Sequence, residues 1–482
     1  MFGIAGLVLF CTAIIVVTNG NFMAAIAPLI GFGAIVAFIL TPLRYSVTLF
    51  FSVVILFHNP SAIPMAGHWQ GPLTLLSRIL YQNLRHFTGI PVLKFNLIET
   101  TFFLFLGLIG VRTMMGNNID RHKTYPSARP QRLALIVAFI ALVATILWGM
   151  MRGGRFDQVL WQIRALFWMP LISAISIRAF KTDDDFRRLA KSLTVVCIAR
   201  VLEGLYFYFS YVRPQGLLLE YIMTHEDSVW LVVLVAMLFS HFIETLGRRE
   251  LFRLFAIGGF IMVAIVLNER RLAYVSLVLS LATIVLSTRA AIRRWVMRAG
   301  LVLLPILLIY IFVGLHSKSS IFSPVHNLFS VTDNQDASNW TRNVENFNLI
   351  QTLSSNPVLG TGWGHEYNEV IFAFDLSTIM PTYRFHPHNT LLGLLAFTGI
   401  FGFFLILIHI PVGVFLAQRA YFSSHTPLQR TTAMTSISIV ITYLVQAFGD
   451  LGIESVDTAI VVGAAIGCVS NLVVRNEKTS PE

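Results

Sequence analysis

Apolar runs of about 17–25 residues recur along this chain from end to end, each long enough to cross about 30 Å of hydrocarbon as a helix. Backbone inside a bilayer must satisfy its own hydrogen bonds, so such runs fold as helices. Spans are expected at about 3–19, 23–41, 46–58, 96–114, 132–150, 157–177, 190–211, 228–246, 253–269, 272–288, 299–314, 396–418, 431–449 and 455–473. Of the 482 residues, 56% are hydrophobic and only 12% are charged, about half the charged share of a soluble domain. The mean hydropathy of +0.72 points the same way. The expected fold class is all-α: a polytopic transmembrane helix bundle of about 12–14 spans. The first run, Ile4 to Val17, has no basic residues before it and no small-residue cleavage site after it. It reads as a span, not as a removed signal peptide.

The formal charge of +11 would suggest nucleic acid in a soluble protein. Here the bases cluster in alternate loops, the arrangement that orients membrane helices, and no nucleic-acid partner is expected. Arg112, Arg121, Lys123, Arg129 and Arg132 share one side with Arg178, Lys181, Arg187 and Arg188. Arg248, Arg249 and Arg253 fall there too, as do Arg289, Arg293, Arg294 and Arg298. This side is expected to be cytoplasmic, with both termini. The loops at about 59–95 and 315–389 then face the periplasm or cell exterior. Cys11, Cys197 and Cys468 all fall inside apolar runs and carry no disulfide framework.

The chain divides into transmembrane helices over 1–314, a long loop over 315–389 and C-terminal helices over 390–482. The loop holds Ser317 to Ser320, the polar run Asp333 to Asp336, and Gly360, Gly362 and Gly364 around Thr361 and Trp363. Trp340, Val344, Phe347, Ile350 and Leu353 stand at helical spacing, which predicts an amphipathic helix on the membrane face, stopped by Asn356–Pro357. Loops of this length are more often functional than connective.

Charge at membrane depth is expensive, about 2.5–3.5 kcal/mol on insertion scales. Arg200 and Glu203, three apart in one span, share a helix face and can pair. Arg164 lies inside the sixth span and either snorkels or reaches a polar cavity. Asn268, Glu269, Arg270 and Arg271 lie where one span ends outside and the next begins, against the positive-inside trend. They form either a solvated turn or an anion site. The planar arginine fork suits phosphate. Arg342 and Arg384 add charge on the same side, so these four arginines suggest a lipid-linked phosphate or diphosphate.

The loop re-enters the membrane through Tyr383, Arg384, His386, Pro387, His388 and Asn389. Imidazole can take or give a proton near neutral pH, so these histidines are either reactive or merely interfacial. His388–Asn389, nine residues, Gly399, two residues and Gly402 resembles the H-[NSQ]-x9-G-x-x-G signature of bacterial O-antigen ligases. Arg342 followed by Pro357, Gly360 and Gly362 resembles the arginine and P-x-x-G-x-G run of that family, and Arg271 its other external arginine. The residue-level likeness concentrates in 268–402 and extends to the related polysaccharide polymerases and protein O-oligosaccharyltransferases.

The resemblance implies a helical bundle like the C-type glycosyltransferases, in the bacterial inner membrane with its active loop periplasmic. It implies transfer of a glycan from undecaprenyl diphosphate to lipid A core, or to a growing polysaccharide, with no metal, nucleotide or other cofactor. Surrounding membrane lipids would be further partners. His388 would be the base, with His386 in reserve. Arg270, Arg271, Arg342 and Arg384 would hold the diphosphate, and His386 and Asn389 would position substrate. Gly360, Gly362, Gly399 and Gly402 would be packing positions. A transporter or flippase using Arg164, Arg200 and Glu203, and a structural scaffold, are the readings from other classes.

Overall fold

The computed structural model describes residues 40–58, 72–88, 95–114, 128–216, 222–317, 322–329, 337–372, 381–450 and 455–479, with residues 12 and 319. The expected spans 3–19 and 23–41 lie outside the described residues except at positions 12, 40 and 41, as do Cys11 and the Asp333–Asp336 run.

The fold is all-α. Helices run in the order α1 (Leu43–Leu56), α2 (Thr74–Tyr81), α3 (Leu84–Thr88), α4 (Leu97–Met114), α5 (Arg129–Met151) and α6 (Phe156–Gln162). Then come α7 (Arg164–Ala179), α8 (Asp183–Phe207), α9 (His225–Thr245), α10 (Arg248–Leu267), α11 (Arg271–Ser287) and α12 (Ala290–His316). Last are α13 (Ser323–Phe329), α14 (Ala337–Ser355), α15 (Thr390–Leu407), α16 (His409–Ser423), α17 (Pro427–Gly449) and α18 (Val456–Thr479). Among the described residues, nine helical stretches are long and apolar enough to cross a membrane, and the bent pair α6–α7 makes a tenth. The shorter α1 and α11 cover the remaining expected spans.

Local sequence sets the helix starts. Thr182 and Asp185 form a reciprocal capping box at α8, and Thr224 and Asp227 do the same at α9. Thr426 caps α17 with Pro427 at its first position. Several helices begin before their expected spans, α12 among them. α12 begins at Ala290 and carries Arg293, Arg294 and Arg298 inside the helix, because arginine is a good helix former and the helix continues past its apolar stretch.

Burial locates the core. The span of α18 is 89% buried and those of α9 and α17 are 67% buried, whereas none of the α12 span is. α18 lies against α7 because Gly463 and Gly467 present no side chains there. A Cβ on Gly463 would stand 2.7 Å from the Met169 carbonyl oxygen, and one on Gly467 2.6 Å from the Ser176 Cβ. Small residues four apart are a membrane packing device.

The charges at membrane depth are paired. Arg164 stands at the 48° bend between α6 and α7, and its guanidinium takes both oxygens of buried Glu99 at 2.5 Å. It therefore neither snorkels nor opens a polar cavity. Arg200 grips Asp227 through Nε at 3.0 Å and Nη2 at 2.8 Å, while Nη1 takes Glu203 at 2.5 Å. The expected Arg200–Glu203 pair exists, with Asp227 as a further and bidentate member.

Candidate active site

α14 matches the expected amphipathic helix and ends at Ser355, just before Asn356–Pro357. Its inner face packs on protein. Val344 and Leu349 are buried, and the helix packs on α15. Trp340, Phe347 and Ile350 form the apolar edge left exposed. On the packed side, Asn348 Oδ1 accepts from the Val370 and Ile371 amides, and Thr352 Oγ1 accepts from the Asn368 amide. The returning loop is thereby tied to α14.

The two glycine motifs meet. α15 is broken at Gly399, where φ is 64° and ψ −175°, and residues 357–362 fill the break. The Thr361 and Gly362 amides donate to Ala396 and Phe397 carbonyls at 3.1 and 2.8 Å, and the Ile400 amide donates to the Pro357 carbonyl at 2.9 Å. A Cβ on Gly399 would collide with the Val358 main chain, and one on Gly360 with that of Phe397. Gly360 and Gly362 also have positive φ, a conformation in which a side chain is strained. Carbonyls and amides freed by the helix break are thus satisfied by the loop, as an apolar surrounding requires. Gly362 and Trp363 also lie against α5, where Trp363 Nε1 donates to Thr145 Oγ1 at 3.0 Å.

This framework holds His388 just before α15. Its Nδ1 lies 2.8 Å from Glu345 Oε2, and its amide donates to Glu345 Oε1 at 2.5 Å. Glu345 thus fixes both the ring and the backbone, leaving Nε2 as the basic nitrogen. The hydrogen bond to Glu345 raises the imidazole above its ordinary pKa, against desolvation that lowers it. The Arg342 charge lowers it further and the Asp450 charge raises it. Arg342 stands one turn before Glu345 on α14 and makes no ion pair among the described residues.

The structure brings some expected residues to His388 and not others. Arg271 Nη1 reaches Asn339 Oδ1 at 3.4 Å, one turn before Arg342, so both arginines share the start of α14. Arg270 Nη1 lies 2.8 Å from His225 Nε2, and His225 Nδ1 lies 2.7 Å from Asp450 Oδ2. Arg270 is therefore held by an imidazole that is itself held by a carboxylate. Asn268 belongs neither to a solvated turn nor to an anion site. It is buried, and its Oδ1 accepts from the Ile222 and Met223 amides.

Arg384 pairs with Glu366 at 2.5 Å. His386 is buried, 3.3 Å from Gln158 Oε1 and edge-on to Trp161. Gln162 Nε2 also donates to the neighbouring Phe385 carbonyl. His386 is thus anchored to α6. Asn389 Oδ1 caps α15 through the Leu392 amide, and its Nδ2 donates to Asn346 Oδ1 at 3.0 Å. Its side chain bonds the residue beside Glu345, not the His388 ring.

Sequence reasoning missed Glu345, His225 and Asp450. Glu345 carried one signal: it stands three residues after Arg342 on the same expected helix. His225 and Asp450 carried none, since they lie on separate helices. Among the described residues, no group of three or more His, Cys, Asp or Glu could hold a metal ion.

Residues 256–407 match the family model described as O-antigen ligase. No curated protein matches the chain. The matched segment runs from within α10 to the end of α15 and contains His386, His388, Asn389, the four arginines and the four glycines singled out above. The chain is thus similar to the O-antigen ligase family over residues 256–407 of its 482.

Proposed function

We propose that this multi-pass membrane protein transfers a glycan from undecaprenyl diphosphate to a sugar hydroxyl at the periplasmic face of the bacterial inner membrane, as a ligase. The observation that carries the reading is the Glu345–His388 pair at 2.8 Å, with Arg342 one turn away on α14. His388 Nε2 accepts the proton of the acceptor hydroxyl as its oxygen attacks the anomeric carbon. The bond from that carbon to the diphosphate oxygen breaks, and the electron pair leaves with undecaprenyl diphosphate. A single displacement inverts the anomeric centre. Arg342, Arg271 and Arg270 neutralise the charge that grows on the departing diphosphate, while Arg384 is held by Glu366 and takes no part. The donor is already activated, so the scheme uses no nucleotide and no metal.

The Lys/Arg bias supports this orientation. The hairpins put the start of α9, the α10–α11 turn, the start of α15 and the end of α17 at one level, opposite the base-rich loops. Transport is the weaker reading because its intended polar residues are occupied: Arg164 by Glu99, and Arg200 by Asp227 and Glu203.

The test offers purified protein an undecaprenyl-diphosphate glycan with lipid A core, and separately with more lipid-linked glycan. Transfer to lipid A core establishes the ligase. Chains lengthening on the carrier assign the polymerase activity instead. Undiminished transfer by a folded His388→Ala variant refutes the mechanism in either case.

A further inference from the structure

A cavity of about 740 Å³ opens on the opposite side of the bundle from His388, between α1, α8, α9, α10, α17 and α18. Its wall changes character with depth. Arg187, Lys191 and Arg253 stand at the mouth, at the base-rich face. Thr431, Thr435 and Ser436 follow along α17, with His241 Nδ1 3.1 Å from the Thr431 hydroxyl. Beyond them the lining turns mainly apolar, with Ile439 on α17 and Val461 and Ala464 on α18, the indole N–H of Trp230 being the polar exception. Leu428 to Ile439 covers about 16 Å of helix, roughly one leaflet of hydrocarbon.

One group in the polar zone lacks a partner. Thr435 is more than nine-tenths buried, and its hydroxyl has no hydrogen-bond partner among the described residues. A buried hydroxyl left unbonded is costly, so the site calls for an occupant with an acceptor at that depth. An apolar chain alone does not supply one. A cationic mouth, a hydroxyl-bearing neck and an apolar floor match, in order, the phosphate, ester and acyl regions of a phospholipid. Basic pockets between membrane helices on the cytoplasmic side bind anionic headgroups.

We propose that this cavity is a binding site for one anionic phospholipid of the inner leaflet, its headgroup held by Lys191 with Arg187 and Arg253, and its ester region hydrogen-bonded by Thr435. Arg187 and Arg253 also face Asp184 at 2.8 Å and Glu250 at 3.6 Å, so Lys191 carries the largest share. The site lies apart from the proposed chemistry and does not depend on it.

The experiment is native mass spectrometry of the full chain after exchange into detergent containing equal phosphatidylglycerol and phosphatidylcholine with identical acyl chains. The wild type is expected to retain one phosphatidylglycerol in preference. Arg187→Gln, Lys191→Gln and Arg253→Gln together should weaken that retention on the order of fivefold per charge, less where an acid already shares the arginine. Ala464→Phe, which fills the cavity without touching charge, should abolish retention of the single lipid. Arg293→Gln with Arg294→Gln, on the same face but outside the cavity, should leave it unchanged. Equal retention of both lipids by the wild type overturns the proposal. So does persistence of the bound lipid in folded Ala464→Phe protein, or an equal loss in the Arg293/Arg294 control.

Discussion

Replacing Glu345 by glutamine isolates what the carboxylate does for His388. The glutamine carbonyl can still accept from the His388 amide, so the turn before α15 is preserved. Its NH2 then faces Nδ1, which must become the acceptor, and the proton moves to Nε2. The nitrogen meant to take the hydroxyl proton is thereby blocked. Loss of a base contributes about 10²–10⁴ in rate. The lower half of that range applies here, because the His388 side chain is 40% exposed and water can partly restore the other tautomer. We expect kcat to fall about 10²–10³-fold with little change in donor KM. The pH profile adds a sign. In the wild type, the base form of His388 is lost as pH falls through a pKa raised chiefly by Glu345. Without the carboxylate the imidazolium is less stable, so the acid limb should move to lower pH. The assay is initial transfer rate against pH with saturating lipid-linked glycan. A rate that instead falls as pH rises through this range would mean that His388 acts as a cation on the phosphate. An unchanged rate and limb in Glu345→Gln would refute the pairing as functional.

Arg342→Lys keeps the charge but loses the fork, and should lower kcat/KM about ten- to a hundredfold in the same transfer assay. His225→Phe removes the bridge from Arg270 to Asp450 and should raise donor KM about threefold to tenfold, measured by donor titration. Gly399→Ala places a Cβ against the Val358 main chain at a φ of 64°, and should reduce the yield of folded protein in detergent, as read by size-exclusion chromatography. Arg200→Gln leaves Asp227 and Glu203 buried beside a neutral partner and should destabilise by about 3–5 kcal/mol. The measure is a lowered unfolding midpoint, with transfer kept by the protein that remains folded.

Much of this architecture was legible because a bilayer leaves few choices. Each expected span within the described residues has a helix, since an apolar run of that length has no other way to satisfy its backbone. Boundaries moved where local chemistry outweighed hydropathy, as at α12, which gains a basic first turn. The sixth expected span is bent by 48° at Ile163, where no proline or glycine marks the break. His388, Arg342 and the glycine runs stood out because their types and spacing carry chemistry in one stretch of chain. Glu345 did not, because it pairs with a residue 43 positions away. His225 and Asp450 are invisible to any local reading, since helix packing alone brings them to Arg270. Arg384 and His386 were grouped with His388 because they adjoin it in sequence, yet side-chain direction ties them to Glu366 and to α6.

The break in α15 bears on how the protein is made. A span interrupted at its middle exposes main-chain groups that hydrocarbon cannot satisfy. Here the missing partners come from residues 357–362, upstream on the far side of a loop. Synthesis and insertion of α15 are therefore incomplete until that loop folds back and lodges in the gap. The same movement carries α14 with Glu345 towards the start of α15 and His388. Seating of residues 357–362 in the break and the contact of Glu345 with His388 thus belong to one packed arrangement.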